Sequence, residues 1–328
     1  MPSGVYARGV SISVTVLAGG VGGARLAHGF ALALPDGGTP AGGGGLTCVV
    51  NVGDDTDRHG LHVSPDLDTV MYTLAGLNDE DRGWGLTGES YATLAQLERL
   101  GEDTWFTLGD KDLATHVVRT ARLRDGVPLS EVTATLTASL GVGARLLPVT
   151  DDPVRTQVTT PSGTLAFQEY FVRRQHADAV LDLTFDGIAS ARPAPGVLAA
   201  VRDADLLMVA PSNPFLSVEP LLGVPGVRDA VRTSRARRVA VSPIVGGRAV
   251  KGPAAQILES LGHEVSALGV ARLYTGIVDV MVIDDADAAL AGPIENLGFE
   301  VMVTDTIMGG PAGRERLARE LLAAGPRP

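Results

Sequence analysis

An alternating run of β-branched and small residues, Ser11–Leu17, passes without a break into Ala18-Gly19-Gly20-Val21-Gly22-Gly23-Ala24-Arg25, and a helical pattern follows to about Leu34. A strand that turns on glycines straight into a helix is half of a βαβ unit, so it confines the chain to α/β folds with parallel strands. The same succession returns late in the chain. Strand-like Asp205–Ala210 delivers the turn Pro211–Ser217, Val239–Pro243 delivers Ile244–Gly252, and Val278–Ile283 and Glu300–Thr304 are further strands before a closing helix over Gly309–Ala323. Between them, Pro128–Leu140 reads as a helix with Ser130 as its N-cap. Arg145–Val149, Val154–Thr160 and Leu165–Arg173 then alternate with turn signals, which predicts an antiparallel excursion. The expected fold is a doubly wound, mainly parallel (Rossmann-like) sheet. It forms one domain over residues 10–328, with a helical and antiparallel subdomain inserted at about residues 120–195.

Asn51–Thr69 follows the buried strand Leu46–Val50 and packs five aspartates into nineteen residues. Carboxylates at that density need a cation or many hydrogen-bond donors. Pro65 fits the first turn of a helix with Ser64 as N-cap, so Asp66 and Asp68 fall where the helix dipole favours negative charge. Asp66 accordingly reads as ordinary helix-start acid. Asp54 and Asp55 are different, because a Gly53 turn presents them side by side with no helix start in reach. Hard divalent cations such as Mg²⁺ take oxygen ligands, commonly one or two carboxylates plus substrate phosphates. Asp54 and Asp68 are the expected pair, with Asp55 as a third candidate; solvation of an acidic surface loop is the plain alternative.

With 328 residues, 45% of them hydrophobic, the chain has ample material for one large α/β domain. Its 27 basic and 38 acidic residues give a net charge of −11, which argues against nucleic acid or an anionic membrane as partner. Cys48, the one cysteine, lies in an apolar strand pattern, which excludes an intrachain disulfide and a thiolate metal cluster. Ile12–Leu17 is too short and too alternating for a secretory h-region and no run reaches transmembrane length, so a cytoplasmic protein is expected.

Further along, Asp68–Leu77 and Glu89–Leu100 read as helices, the second with Leu94, Leu97 and Leu100 as core residues. In Thr104–His116 an apolar run and a turn precede another helix. There Asp112, His116 and Arg119 share one face at i, i+4 and i+7, either as a solvated salt-bridge stripe or as part of a site. Trp105 and Phe106 read as core, although a flat aromatic ligand would suit them. Asp151 and Asp152 are ordinary turn chemistry, and Glu169 with Arg173 is a cross-strand or same-face pair.

In doubly wound sheets, ligands bind beyond the carboxyl ends of the strands. Four motif-rich turns, Gly19–Gly23, Gly53–Asp55, Ser212–Ser217 and Gly246–Lys251, are all predicted on that edge. The glycine turn lets the backbone approach a phosphate and aims helix N–H groups at it. It is not the dinucleotide fingerprint, since Arg25 stands where the third glycine belongs, and no Lys-Ser or Lys-Thr pair makes a P-loop.

Taken together, Gly-Gly-Val-Gly-Gly-Ala-Arg, Asn-Val-Gly-Asp-Asp, Ser-Pro-Asp-Leu-Asp-Thr, Leu-Gly-Asp-Lys-Asp-Leu-Ala-Thr-His, Thr-Asp-Asp-Pro-Val-Arg-Thr and Ala-Pro-Ser-Asn-Pro resemble the 2-phospho-L-lactate transferase family of coenzyme F420 biosynthesis, its actinobacterial phosphoenolpyruvate branch most of all. The resemblance implies that the ribityl hydroxyl of the deazaflavin Fo attacks a guanosine diphosphate ester of phosphoenolpyruvate or phospholactate and releases GMP. Mg²⁺ is implied as cofactor and a homodimer as the assembly. Asp68 would bind Fo together with Thr107, Asp110 and His116, and would orient the hydroxyl or take its proton, with Asp54 and Asp55 beside it. Gly19, Gly20, Gly22, Gly23, Arg25 and Lys251 would hold phosphate, and Ser212, Asn213 and Ser217 the guanosine. The rival of another class is a non-catalytic nucleotide-sugar-binding regulator of the same superfamily. That branch typically has a glycine-rich stretch after the paired aspartates, where Ser64-Pro65-Asp66-Leu67-Asp68-Thr69 stands here. An NAD-dependent dehydrogenase ranks behind both, because Arg25 breaks its fingerprint.

Overall fold

Strands buried on both faces carry unbroken apolar runs, and this chain has several: Leu206–Val209 and Val280–Ile283 are buried at every position. Residues 12–40 and 44–325 are described by the structure, a computed structural model. Arg8, Ser11 at the expected start of the first strand, and Gly42 and Gly43 lie outside the described residues.

Strand β1 (Ser13–Ala18) leads through Gly19 into helix α1 (Gly20–Ala33), and β2 (Gly45–Val50) returns parallel to β1. A hairpin of β3 (Thr56–Arg58) and β4 (Leu61–Val63) precedes α2 (Pro65–Leu74). Its turn residues His59 and Gly60 are both left-handed (φ 49° and 74°), the geometry that matches strand twist in a two-residue hairpin. Helices α3 (Ala92–Arg99), α4 (Asp110–Arg124) and α5 (Leu129–Ser139) lead to β5 (Arg145–Pro148). Next, β6 (Arg155–Thr160), β7 (Gly163–Ala166) and β8 (Asp182–Asp186) form a separate antiparallel sheet. The second half runs α6 (Val197–Arg202), β9 (Leu206–Val209), α7 (Glu219–Gly223), α8 (Val227–Thr233), β10 (Arg237–Val241) and a short hairpin of β11 (Ile244–Val245) and β12 (Arg248–Ala249). It ends with α9 (Ala254–Ser260), α10 (Ala267–Leu273), β13 (Val280–Ile283), α11 (Ala291–Glu295), β14 (Glu300–Val303) and α12 (Gly310–Ala323).

The main sheet has seven parallel strands in the order β14-β13-β10-β9-β1-β2-β5. From β1 the chain steps outward through β2 to β5, then returns to β9 and steps the other way. The direction therefore reverses between β1 and β9, which in a doubly wound sheet marks the ligand crevice. Cys48 is buried within β2, and burial pushes its thiol up to about 12, so it packs as a small apolar residue.

Several local expectations are corrected. The Arg145 segment is not antiparallel: β5 pairs with β2 in the main sheet. Of the Leu165–Arg173 stretch only Leu165 and Ala166, the end of β7, are strand; Glu169–Arg173 is a π-helical turn, so of the two expected arrangements Glu169 and Arg173 form the same-face pair, at i, i+4. Leu94, Leu97 and Leu100 are not core residues, because α3 lies on the surface with no buried residue, and Leu100 is 71% exposed. Ser64 stands at the N-cap of α2 as expected, although its Oγ donates to Asp55 and not to the helix, whereas Ser130 is not a cap: α5 starts at Leu129 after Pro128, with the backbone N–H of Ser130 bonded to the Asp151 carboxylate.

Close approach of backbones at the reversal point depends on one glycine. A Cβ on Gly22 would lie 2.1 Å from the backbone oxygen of Pro211, at the carboxyl end of β9. Gly22→Ala should therefore lower stability by roughly 1–3 kcal/mol, the scale of overpacking. Gly292→Ala, where no atom lies within 4 Å of the new methyl, should not. Thermal melts of the two variants check this, and equal melting temperatures would contradict it.

Candidate active site

At the reversal point a cavity of about 600 Å³ opens, within the range of small-molecule sites. Its floor is made by three loops that one side chain ties together. Asn51, the first residue after β2, donates from Nδ2 to Asp54 Oδ1 (3.3 Å), to Asp66 Oδ2 (3.0 Å) and to the carbonyl of Leu216 (3.3 Å) in the turn after β9. The Gly20 N–H at the start of α1 donates to Asp66 Oδ1 at 2.6 Å. Gly53 N–H returns to Asn51 Oδ1 at 2.8 Å, which shapes the turn that carries Asp54.

Asp54 and Asp66 are both buried and both line the cavity. Burial raises the Asp54 pKa well above the usual carboxylate range, and the charges of Asp66 and Asp55 push it the same way. Burial lifts Asp66 to about 6, partly offset by the hydrogen bonds from Asn51 and Gly20. Among the described residues no basic side chain pairs with either. Two desolvated carboxylates facing a cavity are settled either by sharing a proton between them or by a small divalent cation, and the charge of Arg155 offsets the pair only in part.

Asp68, two residues on, has a different partner. Arg119 of α4 grips both of its oxygens, Nη1 at 3.0 Å to Oδ2 and Nη2 to Oδ1. Arg119 is itself buried; burial works against its charge, but the Asp68 carboxylate raises the guanidinium pKa overall. His116 Nδ1 lies 3.7 Å from Asp68, its Nε2 lies 3.3 Å from Asp112, and the Tyr72 hydroxyl donates to Asp112 at 2.7 Å. Burial pushes Asp112 up, yet His116 and Tyr72 hold it below its ordinary value. Ligand atoms of Asp68, Asp112 and His116 lie within 4.8 Å of one another, so this buried group can also hold a metal. Arg119 already neutralises it, which sets it apart from the Asp54–Asp66 pair.

The i, i+4, i+7 stripe on α4 is thus buried and not a solvated face, with Asp112 and His116 lining the cavity and Arg119 behind them. Asp110 is a correction: its carboxylate accepts from Ser90 Oγ (2.6 Å) and the N–H groups of Ala92 and Thr93, so it caps α3 and does not line the cavity. Asp55 is set back from the cavity, accepting from His62 Nε2 (3.0 Å) and Ser64 Oγ (2.9 Å). Gly19, Gly20, Gly22, Thr107, His116 and Lys251 line it, whereas Gly23 and Arg25 do not. Ser212 lines it too, but its Oγ bonds the backbone of Gly19 as donor (2.7 Å) and acceptor (3.3 Å). Asn213 Oδ1 caps the following turn at Phe215 and Leu216, while its Nδ2 is buried without a partner beside the cavity. Ser217 lies against Gly19. Sequence reasoning missed Tyr72, Trp84, Gln168 and Phe171 in the lining. Trp84 carried a signal, a tryptophan between two glycines; Gln168 and Phe171 carried none.

Fold and site together define an α/β scaffold with a glycine-led helix start and a buried acid pair facing a cavity at its switch point. The sequence matches the family described as 2-phospho-L-lactate transferase CofD over residues 14–305. Phosphoenolpyruvate transferase of Streptomyces griseus is 40% identical over 94% of this chain and 97% of its own length. That of Thermobifida fusca is 43% identical over 84% and 87%. A UPF0052-family crystal structure from Bacillus halodurans shares the fold with a TM-score of 0.61, covering 95% of this chain and 99% of its own at 16% identity. The chain belongs to the 2-phospho-L-lactate transferase (CofD) family. Among the described residues, no helix is long and apolar enough to cross a membrane.

The raised Asp66 pKa fixes a pH dependence. Between the unfolded carboxylate value of about 4 and the folded value of about 6, the folded state binds more protons than the unfolded one, so stability falls as pH rises through that window. Asp66 thus contributes a loss of stability across that window, so without divalent metal the melting temperature of Asp66→Asn should gain on the parent's from pH 4 to 6, and a difference that does not change with pH would contradict the assignment.

Proposed function

We propose that this transferase of coenzyme F420 biosynthesis moves a phosphoenolpyruvyl or 2-phospho-L-lactyl group from its guanosine diphosphate ester to the ribityl hydroxyl of Fo, releasing GMP and giving dehydro-F420-0 or F420-0. The observation that carries this reading is the uncompensated Asp54–Asp66 pair beside the first turn of α1, a few residues from a separately neutralised Asp68. The relatives bear an enzyme's name, which favours a transferase over the nucleotide-sugar regulator, and that name favours the enolpyruvyl donor.

Mg²⁺ held by Asp54 and Asp66 would neutralise the donor diphosphate and the charge that builds on it during transfer. The N–H groups of Val21 and Gly22, which a first helical turn leaves unbonded, add donors to the same phosphate oxygens. Lys251 lines the cavity near Arg25, and burial together with Arg25 lowers its pKa, a setting that an anion relieves. Asn213 Nδ2 offers an unused donor to the guanosine end. On the acceptor side Asp68, paired with Arg119, accepts the ribityl hydroxyl's hydrogen bond and orients its oxygen. That oxygen bonds to the phosphorus carrying the enolpyruvyl or lactyl group as the bond from that phosphorus to the bridging oxygen breaks and GMP leaves with that oxygen, and the hydroxyl proton leaves through Asp68 or solvent. Homodimeric assembly and a cytoplasmic location belong to the same proposal.

Asp54→Asn and Asp66→Asn should each reduce turnover by at least about two orders of magnitude, the scale of losing a key electrostatic contact, and should abolish the Mg²⁺-induced rise in melting temperature. Asp68→Asn should reduce turnover while keeping that rise. Full activity of the parent enzyme in EDTA, or a normal Mg²⁺ effect in Asp66→Asn, would overturn the assignment.

A further inference from the structure

Leu77–Thr87 is a closed surface loop whose two ends bond each other, Thr87 N–H to the Leu77 carbonyl at 2.8 Å and Asp79 N–H to the Gly85 carbonyl at 3.0 Å. Three cationic side chains from distant parts of the chain fix it. Arg314 of α12, buried to 1% exposure, grips the Glu80 carboxylate with two nitrogens. Lys251 Nζ donates to the Arg82 carbonyl at 2.8 Å, and Lys111 Nζ to the Thr87 carbonyl at 2.8 Å. At the tip stands Trp84, between Gly83 and Gly85, both left-handed (φ 81° and 71°). A Cβ on Gly83 would lie 2.1 Å from Lys251 Nζ, so the glycine is needed for the anchor as well as for the turn. The Arg82 guanidinium, hydrogen-bonded to the Tyr91 hydroxyl, lies 5.7 Å from the centre of the Trp84 ring and 5.3 Å from that of Tyr91.

Trp84 is nevertheless 42% exposed while lining the cavity. A large apolar ring left partly in water where it lines a cavity marks a contact that a ligand completes. The loop continues into the wall formed by α4: Glu89 accepts from the N–H groups of Lys111 (2.9 Å) and Asp112 (2.8 Å) at the start of that helix. Trp84 lines the same cavity as Phe106, Thr107, Asp112 and His116, with Gly83 beside it seated on Lys251 and Val21, and the turn bearing Asn213 and Ser217 follows a different strand.

We propose that Trp84 is a specificity-determining residue of the acceptor subsite and stacks on the flat deazaflavin ring of Fo, presented there by the Glu80–Arg314 and Lys251 anchors. This rests on the transferase reading above. Trp84 and Trp105 are the two tryptophans of the chain, so Trp105→Phe leaves Trp84 as the single reporter. In that background Fo should quench the fluorescence saturably in the absence of donor, and GMP should not. Trp84→Ala should raise KM for Fo about tenfold, as loss of a stacked aromatic contact does, with KM for the guanylated donor changed less than about twofold. Trp84→Phe should recover most of the loss, and the melting temperature should match the parent's in each variant. Quenching by GMP without quenching by Fo, or parallel KM changes for both substrates, would overturn the proposal while leaving the transferase reading intact. Failure of the parent enzyme to transfer from either guanylated donor would instead overturn that reading.

Discussion

A single amide nitrogen holds the crevice together. Asn51 Nδ2 reaches an acid after β2, an acid at the start of α2 and a carbonyl after β9, and Gly20 N–H closes the ring from the start of α1. Every segment that meets at the switch point is thereby fixed relative to the others. The cost is two desolvated carboxylates side by side, which a fold does not keep without a partner. In the function proposed above, that burden is what a cation, and the phosphates that follow a cation, would relieve.

The neighbouring acid shows how little separates two roles. Asp66 and Asp68 stand two residues apart on α2, and both are buried. Asp68 turns to α4, where Arg119 neutralises it and the Asp112–His116–Tyr72 group packs beside it. Asp66 turns to the α1 start and has no cation. One helix start thus supplies an acid to each of two walls, one without a cationic partner and one already neutralised by Arg119.

Much of this was legible in the residues. Apolar runs such as Leu206–Val209 declare buried parallel strands, and glycine turns directly after them declare the crevice, so the fold class and the three loops with Gly19, Asp54 and Ser212 could be read. The choice between Asp66 and Asp68 could not, because helix-start spacing is the same for both and the deciding partner, Arg119, lies 51 residues further on. Asp110 looked like site chemistry from its position beyond an apolar segment, but the helix that it caps, α3, is placed by tertiary packing. The same packing leaves Leu100 in water, since helical spacing says which residues share a face and not what that face meets. Pairing of β5 with the main sheet likewise depends on a partner, β2, nearly a hundred residues upstream.

The most direct test is anomalous diffraction from crystals soaked in Mn²⁺, a hard cation with Mg²⁺-like ligand preference. The metal should lie between the carboxylates of Asp54 and Asp66, with Asp68 still held by Arg119. Manganese found instead among Asp68, Asp112 and His116, with Arg119 displaced, would contradict the division of the two acids on which the whole reading of the site depends.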